Sequence, residues 1–202
     1  MRQNILFASL ASLLLVWTSM ASAADAAASA VEAHVEKAGQ TVKLDSEFTV
    51  PVSREIAWQV LTDFEHMASF VPNLTSSQVL ERTPKSLKVE QKGSVPFGPF
   101  HVAYDSIREV ELTPMTEIHA KAVGGDSGAM TSVSTLSEKN GQTVVSYRAE
   151  WTPTSKLVGS FGTGAARDQL LHQFSAMEQE MLRRGGHKGK AADASAADAA
   201  AQ

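Results

Sequence analysis

The strongest constraint on the fold is a change of hydrophobic period partway along the chain. Between Thr75 and Trp151, apolar and polar residues alternate in one short segment after another, with turn residues between the segments. After Ser155 the apolar spacing changes to steps of three and four, as from Leu170 to Phe174. Alternation is typical of half-buried strands, and three-to-four spacing is typical of a one-faced helix. The sequence therefore predicts a meandering antiparallel sheet followed by one long helix.

The segment before this sheet predicts a hairpin and two short helices. Val31 to Val50 alternates on both sides of a glycine-containing turn, which is a hairpin signal. Ser53 is a candidate N-cap for a helix with Glu55 in its first turn, and "EHMASFVP" reads as a second short helix. The sequence thus predicts an α+β fold with short helices after the first strands.

The N-terminus has the organisation of a secretory signal peptide. A short positive region is followed by an apolar run from Ile5 to Met20 and by the small residues Ala21-Ser22-Ala23. These parts in this order predict cleavage after Ala23 and export to the periplasm. An uncleaved N-terminal anchor is the alternative, because the run is close to the length that spans a bilayer.

Composition bounds the rest of the chain. There is no cysteine, so the exported protein has no disulfide and relies on a hydrophobic core drawn from its 43% apolar residues. The formal net charge of −4 argues against a nucleic-acid partner, which calls for a basic surface. We expect a signal peptide at 1–23, a flexible leader at 24–30, one folded domain at 31–184 and a disordered alanine-rich tail at 185–202.

The tetrapeptide Gly125-Asp126-Ser127-Gly128 matches the residues around the nucleophile of chymotrypsin-like proteases. Such an enzyme needs two β-barrels and a substantial chain after the serine, whereas here a long helix begins soon after Trp151. We therefore interpret Ser127 as a turn residue, with Gly124, Gly125 and Gly128 supplying the conformational freedom for a chain reversal.

Other catalytic and metal-binding patterns are not found in the sequence. None of the six histidines has His-x-x-x-His spacing or joins a carboxylate cluster, so we expect no metal and no cofactor. His101 and His119 could approach each other across strands, although ordinary sheet histidines explain them equally well. Asp63 is expected to cap a helix or to form a local salt bridge. Arg148 and Glu150 are expected to face solvent. No catalytic residue is assigned.

The segment "VPVSREIAWQVLTDFEHMASFVPNLTSSQVLER" resembles the first helix region of the START-like (Bet v 1-like, SRPBCC) superfamily, in its polyketide cyclase and coenzyme Q-binding branch. "VEQKGSVPFGPF", "IREVE" and "RDQLLHQFSAMEQEMLRR" resemble the same branch. "GSFGTGAARDQLLHQF" is also similar to the carbon monoxide dehydrogenase branch of that superfamily. The resemblance covers roughly residues 31–184 and implies a helix-grip fold, in which a curved antiparallel sheet wraps around a long C-terminal helix.

The resemblance also implies an apolar cavity for a hydrophobic small molecule or lipid. If the register is right, the cavity candidates from sheet and helix are Phe48, Leu87, Val89, Phe97, Phe100, Tyr104, Tyr147, Trp151, Phe161, Leu170, Phe174 and Met177. Any one of these could instead simply pack the core. The leading hypothesis is a periplasmic, non-enzymatic carrier of an isoprenoid quinone or other lipid, with transient membrane contact at Phe97 and Phe100. The alternative is a cyclase or dehydratase that uses Tyr104, His101 and Tyr147 on an aromatic or polyketide-like substrate.

Overall fold

The computed structural model describes residues 29–97, 100–153 and 162–199; within these ranges the side chains of residues 96, 97, 100 and 187–199 are not described. The predicted signal peptide and nearly all of the predicted leader lie outside the described residues. Among the described residues, no helix is long and apolar enough to cross a membrane.

In the described part of the chain, eight strands form one antiparallel sheet. The strands are β1 Glu32–Ala38, β2 Thr41–Val50, β3 Leu74–Arg82, β4 Ser86–Phe97, β5 Phe100–Thr113, β6 Glu117–Gly125, β7 Ala129–Lys139 and β8 Gln142–Thr152. Their order across the sheet is β1-β2-β8-β7-β6-β5-β4-β3. Strands β3 to β8 form a meander, and the N-terminal hairpin joins it through the pairing of β2 with β8. The predicted antiparallel sheet is confirmed.

The predicted turns and the predicted helix start are confirmed as well. The N-terminal hairpin turns at Gly39, and β7 and β8 are joined by Asn140 and Gly141, both with positive φ as this tight turn requires. Helix α1 (Arg54–Leu61) begins after Ser53, whose side chain accepts a hydrogen bond from the Ile56 amide. A short 3₁₀ helix follows at Met67–Ser69.

The C-terminal helix α2 (Thr163–Ala199) packs on the inner face of the sheet. Its buried residues Leu170, Phe174, Met177 and Met181 follow the predicted three-to-four spacing. The principal contacts of α2 among the described elements are with β1, β2 and α1, which places the densest core at that end of the sheet. A curved sheet around a long C-terminal helix is the predicted helix-grip fold.

The end of α2 differs from the sequence prediction. Gly185 and Gly186 were expected to end the helix, but α2 continues through both and extends to Ala199. Glycine disfavours a helix interior by only about 1 kcal/mol per residue, and the alanine-rich sequence that follows has a high helix propensity. The boundaries of the predicted domain and tail otherwise stay predictions.

Candidate ligand-binding site

The inner face of the sheet carries a row of small side chains at its centre. In the strand register Ala120 on β6 lies beside Ser132 on β7, which lies beside Ala149 on β8. The row ends at larger residues, Val110 on β5 and Leu44 on β2. Small side chains fill little of the layer that large side chains normally occupy in a packed core. Because α2 packs mainly at the β1–β2 end, the inner face of β5 to β7 is where space remains beside the helix.

Aromatic side chains form one side of this space. The Phe174 ring on α2 lies 5.0 Å from the Tyr147 ring and 6.0 Å from the Phe48 ring, measured between centroids. Both contacts are tilted, as is favourable for aromatic pairs. Phe48 is buried, whereas Tyr147 and Trp151 on β8 are only half-buried although they belong to the inner face. Half-buried inner-face aromatics are what the wall of an internal space presents.

A polar cluster occupies the inner face of β4 and β5. The Gln91 amide donates to Ser77 Oγ at 3.1 Å and to Met67 Sδ at 3.3 Å. Its Oε1 accepts a hydrogen bond from the Arg108 guanidinium. Gln91 and Ser77 are buried, and the Arg108 Nε is a buried atom without a hydrogen-bond partner. The fold thus places a guanidinium in its interior and fixes one side of it through a buried glutamine.

Burial lowers the pKa of the Arg108 guanidinium from its usual value, while the neighbouring hydroxyls of Tyr147 and Tyr104 act in the opposite direction. Burial raises the pKa values of both tyrosines, and the Arg108 charge opposes that effect. Tyr147 lies on β8, three strands from β5, so Arg108 reaches inward across the interior rather than along its own strand. No salt bridge connects Arg108 to a carboxylate in the described part of the chain. A buried charge that lacks a counter-ion costs several kcal/mol.

The predicted cavity residues fall into three groups. Buried in the core are Phe48, Leu87, Val89, Leu170, Phe174 and Met177. Half-buried on the inner face are Tyr104, Tyr147 and Trp151. The remaining three are Phe97 and Phe100, whose side chains lie outside the described residues, and Phe161, which lies outside them altogether. The structure therefore brings nine of the twelve to the inner face or to α2, and their assignment as ligand contacts stays a prediction.

Tyr104 is held in place by a glycine on the neighbouring strand. Gly93 pairs with Tyr104, and a Cβ built on Gly93 would lie 2.6 Å from the Tyr104 hydroxyl and 2.3 Å from the Asn73 carbonyl oxygen. The tyrosine ring therefore covers the glycine backbone on the inner face. Asn73 in turn donates from its side chain to Gln169 on α2 at 3.1 Å, which links the start of β3 to the helix.

The outer face of the sheet carries a groove of about 550 Å³ that is unrelated to this interior space. Its lining is dominated by charged residues of β2, β5, β6 and β8: Lys43, Asp45, Glu109, Glu111, His119, Lys121, Arg148 and Glu150. The expectation that Arg148 and Glu150 face solvent is confirmed. Several of these charges pair across strands, such as Arg148 with Asp45 at 3.5 Å, which favours the observed register. None of the predicted cavity residues lines the groove.

The two histidines considered as a pair do not meet. His119 lies opposite Glu111 on β5, ten residues along that strand from His101, which corresponds to about 33 Å. His101 is exposed, and His119 contacts Glu117 at 3.1 Å on the outer face. Within the described ranges, no group of His, Asp and Glu residues is arranged to hold a metal ion.

Ser127 lies in the connection between β6 and β7. Gly125 and Gly128 have positive φ, and a Cβ on Gly125 would lie 2.3 Å from the Asp105 carbonyl oxygen. That oxygen accepts hydrogen bonds from the backbone amides of Asp126 and Ser127, and the Ser127 carbonyl accepts one from Trp151 Nε1 at 2.7 Å. Ser127 is therefore a turn residue, as predicted. The expectation for the first glycine was wrong: Gly124 is paired with Ile107 in the sheet.

Comparisons with known proteins place this architecture. Residues 50–177 match the family model described as polyketide cyclase / dehydrase and lipid transport. No curated protein sequence matches the chain. This inward-facing sheet and helix define a START-like protein. The chain belongs to the polyketide cyclase / dehydrase and lipid transport family, which confirms the predicted superfamily.

Solved structures with low sequence identity share the fold. TTHA0849 from Thermus thermophilus is 14% identical with a TM-score of 0.62, covering 70% of this chain and 98% of that one. A STAR-related lipid transfer protein from Xanthomonas axonopodis is 13% identical with a TM-score of 0.60, covering 75% and 93% respectively. The Zhui aromatase/cyclase from a Streptomyces species is 17% identical with a TM-score of 0.52, covering 71% and 95%. At these identities the likeness establishes the helix-grip fold.

Sequence reasoning missed the polar cluster. Arg108 occupies the inner position between Ser106 and Val110 in the alternation of β5, yet a charged residue in a strand is normally expected to face solvent. The signal was the strict period of two, which places residues 104, 106, 108 and 110 on one face regardless of their polarity. Gln91 is identified in the same way, by its position between Val89 and Gly93.

Proposed function

We propose that this protein is a binding or carrier protein for a hydrophobic ligand held between the inner face of the sheet and α2. The observation that carries the proposal is the row Ala120, Ser132 and Ala149, flanked by the half-buried aromatics Tyr147 and Trp151. A wall of small side chains bordered by aromatic rings suits an apolar guest. Membership of a family that includes lipid transport supports the same conclusion.

The binding energy would come from removing the ligand from water. Each buried CH₂ group contributes about 0.8 kcal/mol, so a chain of about twelve carbons supplies roughly 10 kcal/mol before ordering costs. An isoprenoid quinone or an acyl lipid has the required apolar surface. The signal peptide predicted at residues 1–23 makes the periplasm the proposed location, where such a ligand needs a carrier to cross an aqueous space.

The β4–β5 connection is the proposed point of entry. Phe97 and Phe100 face each other in the strand register at this turn, between two prolines of the sequence "SVPFGPF". Aromatic residues at the tip of a hairpin are suited to the interfacial zone of a bilayer. We therefore propose that transient membrane contact at this tip accompanies ligand uptake.

A cyclase or dehydratase is the second candidate, and the observation that favours it is the placement of two tyrosines near Arg108. A guanidinium and neutral hydroxyls can polarise a carbonyl group. However, no histidine or carboxylate among the described residues joins this cluster as a base, and the proposed His101 is exposed. A carrier needs no base, so the carrier remains the first proposal.

Mass spectrometry of the protein isolated from its native envelope tests the carrier proposal. Under native conditions we expect a fraction of the protein to carry one lipophilic molecule that organic extraction releases. We also expect the extracted protein to take up an isoprenoid quinone or a fatty acid in solution. If no lipid co-purifies and the protein takes up neither class of ligand, the proposal is wrong.

A further inference from the structure

The buried guanidinium of Arg108 is only partly satisfied by the protein. Gln91 accepts one hydrogen bond from it, and Nε has no partner. The surrounding groups that sense its charge are the uncharged hydroxyls of Tyr147 and Tyr104. Arg108 nevertheless retains some accessible surface although it lies deep in the fold, so it borders the internal space rather than the closed core.

We propose that Arg108 is the head-group site of this space and that the ligand is an amphiphile with an ionised carboxylate, such as a long-chain carboxylic acid. The inference rests on the proposed carrier function and adds the chemical class of its ligand. A carboxylate would supply the counter-charge that the fold omits, and it accepts two parallel hydrogen bonds from the guanidinium fork.

The surroundings of Arg108 are arranged for such a head group. Gln91 takes one N–H of the guanidinium and is itself anchored by Ser77, so the fork is fixed with Nε left free. Tyr147 keeps its proton at neutral pH because burial raises its pKa, and its hydroxyl can therefore donate to an anion. From Arg108 the small-residue row begins one inner position along β5, beside Val110, and offers a path for the alkyl chain.

The experiment compares matched ligands that differ only in the head group. Displacement of the neutral fluorescent probe N-phenyl-1-naphthylamine from extracted protein at pH 8 gives the affinities of decanoic acid and decan-1-ol. We expect the wild-type protein to bind the acid about tenfold or more tightly than the alcohol. This comparison uses the unaltered chain and does not depend on the folding of a variant.

The variant Arg108→Met should abolish the preference by weakening acid binding while leaving alcohol binding unchanged. Arg108→Lys keeps the charge without the planar fork and should retain part of the preference. Arg148→Met, at an exposed arginine on the outer face, is the matched control and should behave as wild type. Ligand-free Arg108→Met should unfold at the same temperature as the wild type or higher, because an unpaired buried charge is removed.

The outcomes separate the two proposals. Equal affinities for acid and alcohol in the wild type, or a preference that survives in Arg108→Met, would overturn the head-group inference and leave the carrier function standing. Displacement of the probe by neither ligand, together with the absence of any co-purified lipid, would overturn the carrier function and the inference with it.

Discussion

Arg184 on α2 places its Nη2 2.7 Å from the Oδ2 of Asp63, a residue 121 positions earlier in the chain. Its Nε donates to Glu180 on the same helix at 2.7 Å, and its guanidinium lies 5.7 Å from the centre of the Phe70 ring. One arginine thus joins α2 to the segment that follows α1. Asp63 was expected to pair locally; it does contact His66 at 2.6 Å, but its long-range partner is the one that connects two elements.

Replacing Arg184 should weaken this junction measurably. In Arg184→Gln the carboxylates of Asp63 and Glu180, which are 21% and 9% exposed, lose a charged donor. We expect the free energy of unfolding to fall by about 2 kcal/mol, less than for a fully buried pair because solvent screens part of the interaction. Urea denaturation measures the change. Arg148→Gln is the control: its pair with Asp45 is largely exposed, so a loss above about 0.5 kcal/mol there would contradict the argument.

The same network predicts a loss of stability in acid. Hydrogen bonds from Arg183, and then from Arg184, lower the pKa of Glu180 to about 2, although burial opposes them. Because the pKa in the folded state is depressed, the stabilisation is fully present above the unfolded value near 4.5 and disappears as the pH falls towards 2. The shift corresponds to on the order of 3 kcal/mol. Unfolding free energies measured between pH 6 and pH 2 should show this decline, and Glu180→Gln should flatten it.

Gly93 is predicted to be intolerant of a side chain. In Gly93→Ala the new Cβ would meet the Asn73 carbonyl oxygen at 2.3 Å, and this backbone oxygen already accepts a hydrogen bond from the Ser94 amide. A backbone shift is therefore required, and we expect a loss of about 2 kcal/mol or more in the free energy of unfolding. Gly186→Ala is the matched control, because nothing lies within 4 Å of its Cβ position and alanine favours a helix by up to about 1 kcal/mol. Chemical denaturation of both variants should give changes of opposite sign.

The parts of the fold that sequence reasoning predicted are those that local periodicity determines. Alternation identified the strands, the Asn140-Gly141 pair identified the β7–β8 turn, and the Ser53 cap marked the start of α1. The pairing of β2 with β8 joins segments about a hundred residues apart and has no local signal. Only the resemblance to a helix-grip family implied it.

The candidate site was predicted only in its apolar part. Phe174 and Tyr147 were identified because apolar and aromatic residues on inward positions are expected in a core. Arg108 and Gln91 were missed because polarity outweighed position in the interpretation, although both keep the period of their strands. The space itself comes from what is small, and the alanines and serines of the inner face give no signal in a hydrophobicity pattern.

Filling the small-residue row tests whether that space holds the ligand. Ala120 lies on the inner face between Val110 and Ser132, so Ala120→Leu adds three carbon atoms to the wall of the space. We expect the affinity for N-phenyl-1-naphthylamine to fall about tenfold or more, while the free energy of unfolding changes by less than about 1.5 kcal/mol because the added group enters unfilled volume. Fluorescence titration and urea denaturation of the same preparation give the two values.

Val133→Leu provides the matched control for this change. Val133 lies opposite His119 on the outer face, one residue from Ser132, so the substitution enlarges an apolar side chain on the other side of the same sheet. Its probe affinity should equal that of the wild type. If Ala120→Leu keeps the wild-type affinity, the probe does not occupy the space beside the row. If Ala120→Leu costs several kcal/mol of stability, the inner face is closely packed there, because overpacking a filled core is destabilising.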